Sequence, residues 1–172
     1  MIAARLLALG SLAIMLAAIT IAWGFEIIGG YAPCPLCLQQ RVPYYVAIPL
    51  AAIAIALMVR PPVFRTLMIA AGVAMAAGVA LGVYHAGAEW AWWEGPNTCG
   101  AGGANGGVTD AANLLAAIQE SNFVSCTDVQ GRFLGLSFAG WNVVSASIAS
   151  LAAFAAAAAP RTQQGRSTIA PR

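Results

Sequence analysis

Apolar residues are concentrated in four long runs. Two short connections and one long polar connection separate these runs. The runs cover residues 6–28, 42–59, 66–88 and 134–159. A helix needs about 20 mainly apolar residues to cross the hydrocarbon core of a bilayer, and each run has about that length. The pattern therefore predicts an all-α integral membrane protein, a four-helix transmembrane bundle built as one domain over residues 1–159.

The outer connections are predicted to be residues 29–41 and 89–133. Within the longer one, Thr109 or Asp110 is a favourable N-cap, and an apolar side follows at Leu114, Leu115 and Ile118. These features predict a short amphipathic helix that lies flat on the membrane. Residues 160–172 have the composition of a disordered end.

Small residues in the third run predict close helix packing. Gly78 and Gly82 have the Gly-x-x-x-Gly spacing that lets two membrane helices approach closely. Glycine and alanine are frequent throughout this chain, so the motif supports bundling without identifying a partner. The polar side chains of the fourth run, among them Asn142, Ser145 and Ser150, are expected to face other helices.

The composition agrees with a membrane protein. The chain is 60% hydrophobic and 8% charged, whereas a soluble domain has roughly 25% charged residues. The basic residues are arginines that form no basic run with interleaved aromatics, so nucleic-acid binding has no support. The first run also exceeds the roughly 7–15 apolar residues of a signal peptide.

The charges predict the orientation of the chain in the membrane. Four spans place both termini on one side, together with most of the arginines: Arg5, Arg60, Arg65, Arg161, Arg166 and Arg172. The positive-inside rule assigns that side to the cytoplasm. All four cysteines then lie on the opposite, oxidising side. Removal of the first run would separate the 60–65 turn from the arginine tail, so four retained spans are expected.

A Cys-x-x-Cys pair precedes the second run, in the segment Pro-Cys-Pro-Leu-Cys-Leu-Gln-Gln-Arg at residues 33–41. Proline favours the first turn of a helix, so a helix is predicted to begin near Pro35. Cys37 and Arg41 would then be i and i+4 on one face. The helix N-terminus and the guanidinium are both expected to stabilise a thiolate at Cys37, the reactive form of the thiol.

Four cysteines allow three disulfide pairings. Cys34–Cys37 and Cys99–Cys126 are the natural ones, because each pair lies within one connection. A Cys99–Cys126 disulfide could brace a long loop. A Cys34–Cys37 disulfide closes so short a loop that it removes little chain entropy, and the Cys-x-x-Cys spacing is typical of thiol exchange. A structural zinc site usually has two close pairs, so no metal is predicted.

Three features of the chain together resemble the bacterial disulfide bond formation protein B family. They are the segment Pro33-Cys34-x-x-Cys37-x-x-x-Arg41, the second cysteine pair in the long outer connection, and Phe-Leu-Gly-Leu-Ser at residues 133–137. These proteins are inner-membrane oxidases that recharge a periplasmic thioredoxin-fold thiol oxidase. The resemblance covers residues 6–159. It implies a thiol:quinone oxidoreductase in the bacterial inner membrane that sustains protein disulfide formation.

The resemblance also implies a relay of electrons. A DsbA-like partner would be oxidised by the Cys99–Cys126 disulfide, with Cys99 forming the mixed disulfide. Electrons would pass to Cys34–Cys37 through a transient Cys34–Cys126 bond. Cys37 would face ubiquinone or menaquinone, with Arg41 at the quinone oxygen; the sequence does not separate these two quinones.

His85 and Glu26 are further candidate residues near the outer ends of the third and first runs. His85 is a candidate for the quinone pocket, or a polar residue with a local hydrogen bond at the interface. Glu26 is a candidate proton acceptor or a partner of Arg41. The alternative function is a non-catalytic membrane scaffold with disulfide-braced loops. A scaffold does not explain why Cys34, Cys37 and Arg41 stand together at the membrane interface. A transporter has less support, since the spans lack chains of buried ionisable residues.

Overall fold

The computed structural model describes residues 2–95, 126, 127, 129 and 131–160, and most of these residues are helical. Within them there are four long helices: α1 (Ile2–Ile27), α2 (Pro35–Ala56), α3 (Pro61–Glu89) and α4 (Phe138–Ala158). The predicted all-α architecture is confirmed for this part of the chain. The predicted amphipathic helix at residues 110–118, and Cys99, lie outside the described residues.

Three of the helices in the described part of the chain, α1, α3 and α4, are long and apolar enough to cross a membrane. Helix α2 does not meet that criterion, because its first turns include Gln39, Gln40 and Arg41 and it contains Pro43 and Pro49. The membrane character of the chain is therefore confirmed. The crossing by α2, and with it a bundle of four spans, stays a prediction.

The four helices pack around one shared core. Helix α3 packs against α2 and α4, and α1 packs against the same two helices, which closes a ring of four. The centre of this ring is lined mainly by alanine and methionine, with Met15, Met68 and Met75 fully buried. Small side chains let helix backbones approach closely where lipid provides no hydrophobic driving force.

Polar side chains of α4 join the helices, as the sequence predicts. The Ser150 hydroxyl donates to the Gly72 carbonyl at 2.9 Å. The Tyr44 hydroxyl of α2 donates to Asn142 Oδ1 at 2.9 Å and lies 3.0 Å from Ser145 Oγ. Such bonds satisfy groups that hydrocarbon would leave without partners, so they tie α4 to α2 and α3.

The fourth run does not begin as a helix. Residues 132–137 form a hairpin in which β1 (Arg132–Phe133) pairs antiparallel with β2 (Leu136–Ser137). Leu134 and Gly135 form its turn with φ of 51° and 84°, the left-handed conformations that a two-residue hairpin turn requires. Helix α4 then starts at Phe138, with Ser137 as its N-cap.

The glycine spacing in α3 serves two different neighbours. A Cβ added at Gly78 would lie 3.2 Å from Pro43 of α2, and one at Gly82 would lie 2.8 Å from the Val143 side chain of α4. The predicted close packing is confirmed, and its partners are α2 and α4.

Replacing Gly82 with alanine should destabilise the protein, because the new methyl group would lie too close to the Val143 side chain, and Val143 or one of the two helices must shift. Gly10→Ala is the matched control, since nothing lies within 4 Å of its added Cβ. Thermal unfolding in detergent should find Gly82→Ala less stable than Gly10→Ala by about 1–3 kcal/mol, the usual cost of overpacking. Equal stability of the two variants would contradict this packing.

Candidate active site

The first cysteine pair lies at the beginning of α2. Cys34 is the N-cap, Pro35 opens the first turn, and the Cys34 sulfur accepts a hydrogen bond from the Cys37 backbone N–H at 3.2 Å. Both cysteines are free thiols, and their sulfur atoms lie 2.8 Å apart. The helix start near Pro35 is thus confirmed, and the two sulfurs are close enough for a disulfide to form with little movement.

Cys126 of the long outer connection joins the same site. It is 1% exposed and lies in a buried cluster with Cys34, which is 2% exposed, and with Leu36; Cys37 packs against this cluster. Cys126 is disulfide-bonded, and because Cys34 and Cys37 are free thiols, neither is its partner. The fold therefore brings cysteines of both predicted pairs into one cluster.

The last turns of α3 supply the polar wall of the site. His85 Nε2 lies 3.7 Å from the Cys34 sulfur, and Nδ1 of the same ring lies 2.6 Å from Gln40 Nε2 of α2. Glu89 follows one turn later; its side chain is 5% exposed, with Oε1 at 3.9 Å from His85 Nε2. The backbone of Cys126 also hydrogen-bonds His85, so His85 contacts both cysteine segments.

The hairpin before α4 closes this wall. The Ser137 hydroxyl donates to Glu89 Oε2 and accepts from the Gly140 backbone N–H at 3.1 Å. Ser137 therefore caps α4 and fixes the Glu89 carboxylate at the same time. This contact gives the Phe-Leu-Gly-Leu-Ser segment a physical role, because the hairpin turn places its serine against the end of α3.

Arg41 forms an ion pair with Glu26 of α1, with Nη1 and Oε2 2.6 Å apart. The predicted pairing of these residues is confirmed. The Arg41 side chain is 13% exposed and that of Glu26 is 37% exposed. Helical spacing keeps Arg41 on the same face of α2 as Cys37, one turn farther along.

An open apolar groove of about 410 Å³ lies between α2 and α3. Its α2 wall begins within three residues of Cys37. The lining residues are Gln39, Val42, Pro43, Val46, Ala74, Ala77 and Leu81. Cys37 and Arg41 are not among these lining residues, and helical spacing puts them on the opposite face of α2.

The electrostatics favour a thiolate at Cys34. Its pKa falls from an ordinary value of 9.0 to about 4, chiefly because of the side-chain hydrogen bond with Cys37; His85 and the Cys37 backbone N–H lower it further, against an opposing effect of burial. The sequence predicts that the helix N-terminus stabilises a thiolate at Cys37. In the structure that interaction goes to Cys34, since Cys34 is the N-cap.

The reduced protein should therefore retain a thiolate in mild acid. Because the folded pKa is depressed, the resulting stabilisation of the reduced site is complete above pH 9, declines as pH falls, and is lost near pH 4. Ultraviolet thiolate absorbance, followed against pH, should show this low transition, and Cys34→Ser should remove it. A single transition near pH 9 in the unsubstituted chain would contradict the arrangement.

Sequence reasoning missed three residues of this site. Glu89 was detectable as the residue four positions after the lone histidine, and Ser137 as an N-cap before an apolar run. Gln40 gave no signal, because its contact with His85 joins residues 45 positions apart.

A match to a known protein family agrees with the cysteines of this site. No curated protein and no solved structure matches the chain. The family described as disulfide bond formation protein DsbB matches residues 4–157, which include all four cysteines and all of the helical ring except the first two residues of α1 and the last residue of α4. The chain therefore belongs to the disulfide bond formation protein DsbB family.

Proposed function

We propose that this chain is a thiol:quinone oxidoreductase that reoxidises a periplasmic, DsbA-like thioredoxin-fold oxidase. Membership of the DsbB family gives it a role in disulfide bond formation. The observation that carries the finer proposal is the burial of Cys126 against Cys34 at the start of α2. A scaffold with two independent braces would have no need to bring cysteines of different connections together.

Thiol exchange accounts for the route of electrons. The reduced partner attacks Cys99 of a Cys99–Cys126 disulfide, which forms a mixed disulfide and releases Cys126 as a thiolate. The partner's second thiolate then displaces Cys99 from the mixed disulfide, and the partner leaves oxidised. Cys126 attacks Cys34 of the Cys34–Cys37 disulfide, so that the Cys34–Cys126 bond forms and Cys37 is released. Cys99 then attacks Cys126, restoring the outer disulfide and releasing Cys34. The low pKa of Cys34 suits this last step, because a stable thiolate leaves readily.

A membrane quinone, ubiquinone or menaquinone, would supply the two-electron acceptor that restores the Cys34–Cys37 disulfide. Arg41 lies one turn beyond Cys37 on the same face of α2, so the chain has a cation beside the thiol that such a molecule would approach. Arg41 would bind an oxygen of the ring and stabilise negative charge there. His85, with Nε2 3.7 Å from the Cys34 sulfur, and Glu89 beside it would accept protons that the two thiols release.

The same proposal orients the protein in the bacterial inner membrane. Four spans would place both termini in the cytoplasm and the cysteines on the periplasmic side. The arrangement of the helices supports this topology. The start of α2, the end of α3 and the hairpin before α4 meet at one end of the bundle, and the Arg60 and Arg65 connection lies at the other.

The decisive experiment measures quinone consumption by the purified protein in detergent, with a reduced thioredoxin-fold dithiol protein as donor. Ubiquinone and menaquinone analogues would be tested in parallel, with four single Cys→Ser variants. Turnover that disappears in the Cys34 and Cys37 variants is the expected result. Absence of turnover with both quinones, together with disulfides that resist mild reduction, would favour the scaffold instead.

A further inference from the structure

Three donor atoms of soft-metal type converge in the reduced site. The sulfur atoms of Cys34 and Cys37 and a ring nitrogen of His85 all lie within 4.8 Å of one another. Cys34 and His85 are buried, and Cys37 is half-buried. The cysteine spacing in the sequence gives no sign of this site, because its third donor, His85, lies on a different helix.

We propose that the reduced Cys34–Cys37 pair and His85 form a binding site for a thiophilic divalent cation of the Zn²⁺ type. Two thiolates and one imidazole are ligands that Zn²⁺ prefers, and three protein ligands with an open fourth position are common in zinc sites exposed to small molecules. This function goes beyond electron transfer to a quinone, because it requires no quinone and no partner protein.

The distances suit a tetrahedral ion with one small adjustment. With Zn–S and Zn–N bonds of about 2.3 and 2.0 Å, the sulfur–nitrogen edge is roughly 3.5 Å and the sulfur–sulfur edge roughly 3.8 Å. The Cys34 sulfur lies 3.7 Å from His85 Nε2, which fits. The two sulfurs, at 2.8 Å, must separate by about 1 Å. Rotation of the half-buried Cys37 side chain provides that movement.

The ring nitrogen that faces Cys34 is Nε2, while Nδ1 lies 2.6 Å from the Gln40 side-chain amide. To bind the cation, Nε2 must be free of its proton and Nδ1 must carry it. The Gln40 amide would then turn its oxygen toward Nδ1 to accept that N–H, as the outer partners of metal-bound histidines do. Glu89, buried and 3.9 Å from Nε2, adds negative charge beside the cation. Water or another small ligand would complete the coordination.

Metal binding and disulfide formation would exclude each other. The cation displaces the protons that the two thiols still carry and forms two metal–sulfur bonds, with no transfer of electrons. Once the Cys34–Cys37 disulfide forms, both thiolate ligands are lost. A bound cation would therefore hold the site reduced and block its reoxidation, so this protein should be inhibited by thiophilic metals during turnover.

The test is a titration of the reduced, chelator-treated protein in detergent with Zn²⁺, monitored by competition with a chromophoric chelator. Co²⁺ would serve as a spectroscopic probe through its thiolate charge-transfer bands. The double variant Cys99→Ser/Cys126→Ser isolates the proposed donors. One ion per chain is expected in this variant, with no binding after Cys34 and Cys37 have been oxidised.

Variants of α3 distinguish the site from a simple dithiol chelate. His85→Asn should weaken Zn²⁺ binding at least about tenfold, because even the outer partners of metal ligands contribute about 10- to 100-fold to affinity. Tyr84→Phe, one residue earlier and partly exposed, should retain the affinity. Unchanged affinity in His85→Asn, or binding that survives oxidation, would overturn the proposal. Quinone turnover in metal-free buffer is measured separately, so failure here would leave the proposed function standing.

Discussion

Replacing Cys37 with serine should reduce quinone-dependent dithiol oxidation to the background rate. A serine hydroxyl cannot form a disulfide with Cys34, so the variant has no inner disulfide to be reduced and formed again in each cycle. Cys34 would keep its place as N-cap of α2, and the fold should persist. The measurement is steady-state quinone consumption with a reduced thioredoxin-fold donor.

A single-turnover experiment makes this prediction sharper. The outer disulfide that includes Cys126 remains available in Cys37→Ser, so each chain should still oxidise one equivalent of donor dithiol and then stop. Leu38→Ala is the matched control, because Leu38 is the next residue of the same helical turn and its side chain is half exposed. It should sustain turnover. Continued quinone consumption by Cys37→Ser would show that Cys37 is not the terminal thiolate.

The sequence was sufficient to predict features that depend on local chemistry. The proline after Cys34 correctly indicated the start of α2, and the long apolar runs indicated the helices. What local chemistry did not reveal was which sulfur would accept the hydrogen bond at the helix start. The N-cap must precede the first helical residue, and since Pro35 is that residue, the position belongs to Cys34.

The remainder of the site depends on contacts between distant parts of the chain. Gln40, His85 and Ser137 lie on three different elements, and nothing in the spacing of the sequence relates them. Only the packing of α2 against α3 places Gln40 beside His85, and only the hairpin turn at Leu134 and Gly135 carries Ser137 to Glu89. The polar wall of the site therefore follows from tertiary structure.

Helix α2 is less apolar than the other three helices because it carries residues of the site. Its first turns hold Gln40 and Arg41 for the site, and this polarity lowers the apolar character that a membrane helix requires. Placing an arginine near a bilayer is costly unless it is paired or functional. The ion pair with Glu26 reduces that cost and keeps a cation one turn beyond Cys37, where it serves the proposed chemistry.

Removing this cation should impair the use of quinone without disturbing the disulfides. Arg41→Ala is expected to lower kcat/KM for quinone about 100-fold, the usual effect of losing one group that stabilises developing negative charge. Glu26→Gln is the matched control: it removes the ion pair at 2.6 Å but keeps the guanidinium, so the rate should be retained. Thiol counting should find the same disulfides in both variants. Unchanged quinone kinetics in Arg41→Ala would make Arg41 a structural anchor of α2 to α1, and equal losses in both variants would assign the effect to the ion pair instead of the cation.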